Sequence, residues 1–248
     1  MIPKDRVLEK LDSLLKLKDF SGAKRLLQYW LSEAEYTGDS HGAVLIENEW
    51  MGLCRKLGER EDALRHAQNA LDLVGKMGIG DTVGGATTYL NSATVCKAFD
   101  RPQDALNLYE MAREIYERQL SPADDRLAGL YNNMGLALVD LKRFSEANQL
   151  YEKALSILKP MEGNEPEMAI TYLNLASSVE AELGLEQGAE DIKAYSLKAM
   201  DCMEVGKDRR DGGYAFVCEK CATVFGYYGE ETYAKQLLER SRRIYEGA

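Results

Sequence analysis

The chain has 248 residues, with 31 basic and 41 acidic side chains and a formal charge of −10. That length is ample for a core without disulfides, and the acidic balance weighs against nucleic acid as a partner, since neutralising phosphates takes a basic stripe. Alanine and leucine number 26 and 33, against 10 valines, eight isoleucines and eight threonines, which excludes a mainly β fold.

Turn and breaker residues divide the chain into helical stretches. Lys18-Asp19 splits a first repeat of about 3–38, and Gly38-Asp39-Ser40 separates it from a second, 40–78, split at Gly58-Glu59. Gly78 to Asp81 leads into a third repeat, 81–120, split at Asp100-Arg101-Pro102. Ser121-Pro122 precedes a fourth, 123–161, split at Lys142-Arg143, and Gly163-Asn164-Glu165-Pro166 opens a fifth, 165–205. The fifth carries a longer turn, Gly184 to Gly188, between its helices. Gly206 to Gly213 leads to a sixth, 209–247, split at Gly229-Glu230. Each repeat therefore reads as an A helix and a B helix, about twelve helices in all. The five prolines fall at predicted helix boundaries, where the missing N–H costs little.

The repeats are also alike in sequence. Tyr89-Leu90-Asn91-Ser92-Ala93 returns as Tyr131-Asn132-Asn133-Met134-Gly135 and as Tyr172-Leu173-Asn174-Leu175-Ala176. In the B helices, Ala63, Ala105, Ala147 and Ala234 anchor a series that includes positions 23 and 192, at spacings of 40 to 45. Each of the first three is followed seven residues on by Ala70, Ala112 and Ala154; Ser241 follows Ala234 likewise. Small residues let neighbouring helices approach, while Tyr89, Tyr131, Tyr172, Tyr109 and Tyr151 fill the space beside them. One such repeat cannot bury its apolar face alone, so the repeats are expected to stack into a single all-α solenoid domain over 1–248.

An aromatic, a Leu-like residue and Gly or Ala in helix A, then two alanines seven apart in helix B, resemble the tetratricopeptide repeat. The unit of about 42 residues is similar to the longer variety in kinesin light chains and bacterial peptide-sensing regulators. The fourth repeat carries the nearest match, and the first departs most, with Leu11 where a small residue is expected. The resemblance implies a right-handed superhelix whose A helices line a concave groove and whose B helices face mostly outward.

In that register Asn91, Asn133 and Asn174 stand two residues before the small packing residue, about 200° around the helix and toward the open face. Asparagine is a mediocre helix former, so three in register run against propensity. A carboxamide can pair with both the N–H and the C=O of an extended peptide. The same position resembles the backbone-gripping asparagines of kinesin-light-chain-like repeats. The alternative is that these amides bond between neighbouring A helices or face water. Asn132, Thr94, Lys97, Ser177, Lys220 and Asn48 complete the candidate peptide-binding set, with Glu49 in the asparagine position of the second repeat. The two-Lys, two-Asn, one-Arg clamp of chaperone-tail-binding repeats has no counterpart in register here.

Chemical motifs are few. Cys218-Glu219-Lys220-Cys221 places two thiols at i and i+3 on an inward face, with no further ligands for zinc. His41 falls in a turn and His66 on a helix read as outward, so neither makes a catalytic base. No enzyme activity, metal or cofactor is expected. No run approaches the roughly 18 apolar residues of a membrane span, and Met1 to Arg6 lacks the apolar stretch of a secretory signal. Cys54, Cys96, Cys202, Cys218 and Cys221, odd in number and scattered, suit the reduced thiols of a cytoplasmic protein. The function expected is a non-catalytic interaction scaffold that binds an extended peptide or partner segment. The alternatives are a self-associating structural module, motivated by Phe225, Tyr227 and Tyr228 near the last repeat, and a peptide-responsive signalling regulator.

Overall fold

The computed structural model describes residues 1–247, and among them it holds twelve α-helices and no strand. They are α1 (Lys4–Lys16), α2 (Phe20–Tyr36), α3 (Ser40–Leu57), α4 (Arg60–Met77), α5 (Val83–Ala98) and α6 (Pro102–Gln119). There follow α7 (Asp125–Asp140), α8 (Phe144–Leu158), α9 (Glu165–Gln187), α10 (Ala189–Val205), α11 (Gly212–Tyr227) and α12 (Glu231–Glu246). Odd-numbered helices are the A helices and even-numbered ones the B helices of six repeats. The chain divides into two compact units, Met1–Gln119 and Leu120–Ala248, each containing three repeats.

Local chemistry explains the helix ends. Asp19, Asp39, Thr82, Asp124 and Asp211 precede α2, α3, α5, α7 and α11, and each side chain accepts from a backbone N–H of the first turn. Such caps satisfy donors that the helix cannot. Every turn from an A helix to its B helix contains one residue of positive φ: Lys18, Gly58, Asp100, Lys142, Gly184 and Gly229. The turn expected between the fifth pair of helices is not a loop. Gly184 breaks the helix at φ 80 and ψ 167, and Leu185 to Gln187 then wind one more helical turn. Only glycine takes that combination of angles without strain.

The small residues do what the repeat pattern asks of them. Ala63, Ala70, Ala105, Ala112, Ala147 and Ala154 are completely buried, and Tyr109 and Tyr151 are sealed beside them. Gly135 on α7 has no room for a side chain, because a Cβ there would enter the ring of Tyr151 on α8. In the amino-terminal unit a core runs through Leu27, Ile46, Met51, Cys54 and Ala63. In the carboxy-terminal unit one core gathers Leu173, Met203, Tyr214, Cys221 and Phe225, and a smaller one joins Ala176, Val179 and Ile192. Each A helix packs on its own B helix, while α3 also lies beside α5, and α9 beside both α7 and α11. That second contact sets the asparagines of successive A helices next to one another.

Candidate functional site

In the carboxy-terminal unit the neighbouring A helices α7, α9 and α11 enclose a pocket of about 370 Å³. Asn132 and Asn133 of α7, Asn174 of α9 and Lys220 of α11 all line it, so four of the sequence-predicted residues come together. Their polar groups alternate with an apolar lining of Leu136, Ile170, Leu173 and Val224, and Cys221 and Thr223 complete the wall. The Lys220 ammonium lies 4.7 Å from the centre of the Phe216 ring on the same helix. A cation–π contact of this kind helps to hold the side chain in place.

The amides fall into two kinds. Asn132 donates from Nδ2 to Thr171 Oγ1 at 2.9 Å, and its Oδ1 accepts from Asn174 Nδ2 over a long 3.5 Å. The same arrangement recurs in the amino-terminal unit. Asn48 donates to Val44 O at 2.8 Å and to Thr88 Oγ1 at 3.1 Å, and accepts from Asn91 Nδ2 at 2.8 Å. Asn48 thereby commits both N–H groups within the unit. Asn91 and Asn174 each commit one N–H to the neighbouring A helix, which leaves an acceptor and a donor. Asn133 makes no side-chain hydrogen bond to another described residue and stands half-buried at the pocket. An uncommitted carboxamide beside an apolar hollow can bind a peptide group while a side chain fills the hollow.

The remaining predicted residues are placed differently. Thr94 donates back to Leu90 O at 2.9 Å and meets Tyr109 OH at 3.1 Å, so its hydroxyl ties α5 to α6. Ser177 meets Tyr228 OH at 3.3 Å. Lys97 is half-buried on α5. The hydroxyls of Tyr227 and Tyr228 both donate to Glu180, and Phe225 is fully buried. Of these three aromatics only the Tyr227 ring is largely exposed. Residues that the sequence reading passed over are Thr88 and Thr171, together with the apolar lining. Their signal was present: Asn48 to Asn132 is 84 residues, and Thr88 to Thr171 is 83.

One expectation is overturned. His66 does not face outward but is 1% exposed, stacked on the Trp50 indole at 4.3 Å with Nδ1 2.5 Å from Glu47 Oε2. Asn69 donates to the other oxygen of Glu47 at 3.0 Å. A B helix also has an inner face, and His66 shares it with Ala63 and Ala70 through i+3 and i+7 spacing.

The thiols are unsuited to chemistry. Cys218 and Cys221 pack in the core, and burial pushes the Cys221 thiol up to about 12. Cys54, Glu59 and Asp62 bring donor atoms within 4.8 Å of one another. There the Lys24 ammonium already holds Glu59 at 2.5 Å, and burial with the Glu59 hydrogen bond raises Cys54 to about 12. A metal ion would have to displace the lysine and a tightly held proton. At the carboxyl end Arg240 turns inward, bonding Glu204 at 2.6 Å and Tyr214 OH at 3.2 Å, while Arg242 and Arg243 pair with Glu239. Among the described residues, no helix is long and apolar enough to cross a membrane.

Paired helices of fixed spacing, with small residues at the crossings and polar positions in register along the A helices, define a helical-repeat protein. Comparison with known proteins agrees at the level of family. Tetratricopeptide-repeat models match residues 46–118 and 127–159. These matched stretches carry tetratricopeptide repeats, and the long repeats of the chain resemble those of kinesin light chains. Kinesin light chain-related 2 of Arabidopsis thaliana is 27% identical over 208 residues, covering 79% of this chain and 30% of that protein. A clustered mitochondria protein homolog of Debaryomyces hansenii is 30% identical over 113 residues, covering 46% of this chain and 8% of the relative. The chain thus spans under a third of the length of either curated relative. Among solved structures, BtubC (BKLC) of P. vanneervenii superposes with a TM-score of 0.71 at 21% identity, covering 83% of this chain and 81% of that one. NprR in complex with its cognate peptide NprX gives a TM-score of 0.59 at 16% identity, covering 97% and 67%.

Proposed function

We propose that this chain is a non-catalytic interaction scaffold that binds an extended peptide, or an extended segment of a partner protein, along its A helices. The observation that carries this reading is the convergence of Asn133, Asn174 and Lys220 around an apolar hollow in one unit. Asn133 and Asn174 supply donors and acceptors for main-chain peptide groups, and Leu136, Ile170, Leu173 and Val224 receive an apolar side chain. The fold of a structure solved with its cognate peptide supports the same mode of action. All five cysteines are free and buried, which supports a reducing compartment such as the cytoplasm.

The test is a selection from a displayed random-peptide library, followed by affinity measurement of the enriched peptides on the native chain and on Asn133→Ala/Asn174→Ala. Alanine favours helix, so the double variant keeps its fold. Loss of two peptide-group contacts should weaken binding by about tenfold or more. Equal affinity of the two proteins would sink the groove reading.

A further inference from the structure

Asn174 and Asn91 do not set their own orientation. Rotation about the last torsion of an asparagine is soft, so an isolated carboxamide presents its oxygen and its nitrogen almost interchangeably. In both compact units a second asparagine removes that freedom. Asn132 accepts from Nδ2 of Asn174 over a long 3.5 Å, and Asn48 accepts from Nδ2 of Asn91 at 2.8 Å. Each of these is itself anchored by donating to a threonine on the neighbouring A helix, Thr171 or Thr88. The Thr171 hydroxyl is committed in turn, donating to Glu167 O at 2.9 Å. With one nitrogen–hydrogen of Asn174 or Asn91 taken up, Oδ1 turns away from the clamp as an acceptor.

Helix packing alone does not require this. At the same place in α5 and α9 stand Leu90 and Leu173. Leucine fits the register, is the better helix former and buries without needing a partner. The amide at positions 48 and 132 therefore does something that leucine at 90 and 173 does not.

We propose that Asn132 and Asn48 are positioning residues, each part of an Asn–Thr–Asn relay repeated at a spacing of 83 to 84 residues, once per compact unit. Each relay fixes one outward carboxamide, Asn174 or Asn91, as an acceptor for a main-chain N–H of an extended peptide. This rests on the peptide-groove reading and adds to it the direction of the hydrogen bond. In the carboxy-terminal unit the station borders the apolar hollow, so the peptide group it holds belongs to a residue with an apolar side chain.

The experiment uses the full-length 15N-labelled chain and the blocked dipeptide N-acetyl-leucine N-methylamide, which carries one apolar side chain between two peptide groups. Millimolar titration should shift the side-chain amide resonances of Asn174. Asn132→Leu, the residue native to the neighbouring repeats, should keep the melting temperature yet weaken the dipeptide about three- to tenfold, the worth of one oriented hydrogen bond. Asn132→Asp retains an acceptor for Asn174 Nδ2 and should restore binding to within about twofold of the native chain. A merely structural asparagine would show the reverse, a lower melting temperature with unchanged affinity. If Asn174→Ala abolishes the response while Asn132→Leu leaves it intact, the groove reading stands and the relay falls. Absence of any response in the native chain overturns both.

Discussion

At the scale of single residues, the least legible feature was the polar cluster inside the amino-terminal unit. Glu47, 2% exposed, serves His66 through one oxygen and Asn69 through the other, with the Trp50 indole stacked against the imidazole. Sequence alone places His66 outside, because B helices are expected to face mostly outward. The alanine stripe of the same helix already contradicted that, since Ala63, His66 and Ala70 fall on one face. Glu47 gave less warning, for a lone glutamate among apolar residues has no partner until the fold brings α4 against α3. Replacing it leaves the buried imidazole and the half-buried Asn69 amide without that acceptor, at about 1–3 kcal/mol for the buried group and less for the other. Glu47→Ala should therefore lower the urea midpoint far more than Glu47→Gln, which still offers an oxygen. Equal midpoints for the two variants would show that the carboxyl accepts nothing of consequence.

At the scale of elements, the helix pairs were readable because their boundaries are written in backbone chemistry. Each A-to-B turn needs one residue in positive φ, and the sequence marks it with Gly58, Gly184 and Gly229. The other three turns place Lys18, Asp100 and Lys142 at φ 56, 61 and 59. An L residue in the left-handed helical region costs roughly 1–2 kcal/mol, and glycine gives back about half of that as unfolded-state entropy. Asp100→Gly and Lys142→Gly should thus each stabilise the chain by about 0.5–1 kcal/mol, read as a rise in the urea midpoint. A fall in the midpoint would mean that a side-chain contact holds the turn instead. The pairing of amides across helices was not readable in the same way. It depends on which residues of α3 and α5, or of α7 and α9, stand level. Only the 83- to 84-residue recurrence of Asn48 and Thr88 hinted at it.

At the scale of the whole molecule, the net charge of −10 says little about a partner, but three of the acids have a defined thermodynamic role. Asp39, Asp124 and Asp211 each precede an A helix, and the first lies in one compact unit and the other two in the second. Backbone N–H groups of Ile2 and Gly42 hold the Asp39 carboxyl below the usual range, and the Arg126 and Arg209 guanidiniums do so for Asp124 and Asp211. A carboxyl whose folded pKa is depressed stabilises fully above its unfolded value of about 3.9, and that contribution disappears as pH falls through the folded value. Both compact units should therefore lose stability below about pH 4. Asp39 is the sharper probe, being 8% exposed, whereas half of the Asp211 side chain meets water and salt screens its ion pair. Asp39→Ala removes a helix cap and should cost about 1 kcal/mol at pH 7. At pH 3 the native carboxyl is itself losing its charge, so the gap between variant and native chain should narrow. Urea midpoints at the two pH values, with hydrogen exchange to assign the loss to the amino-terminal unit, measure that narrowing directly. A gap of the same size at both pH values would show that the hydrogen bonds to Asp39 do not depend on its charge.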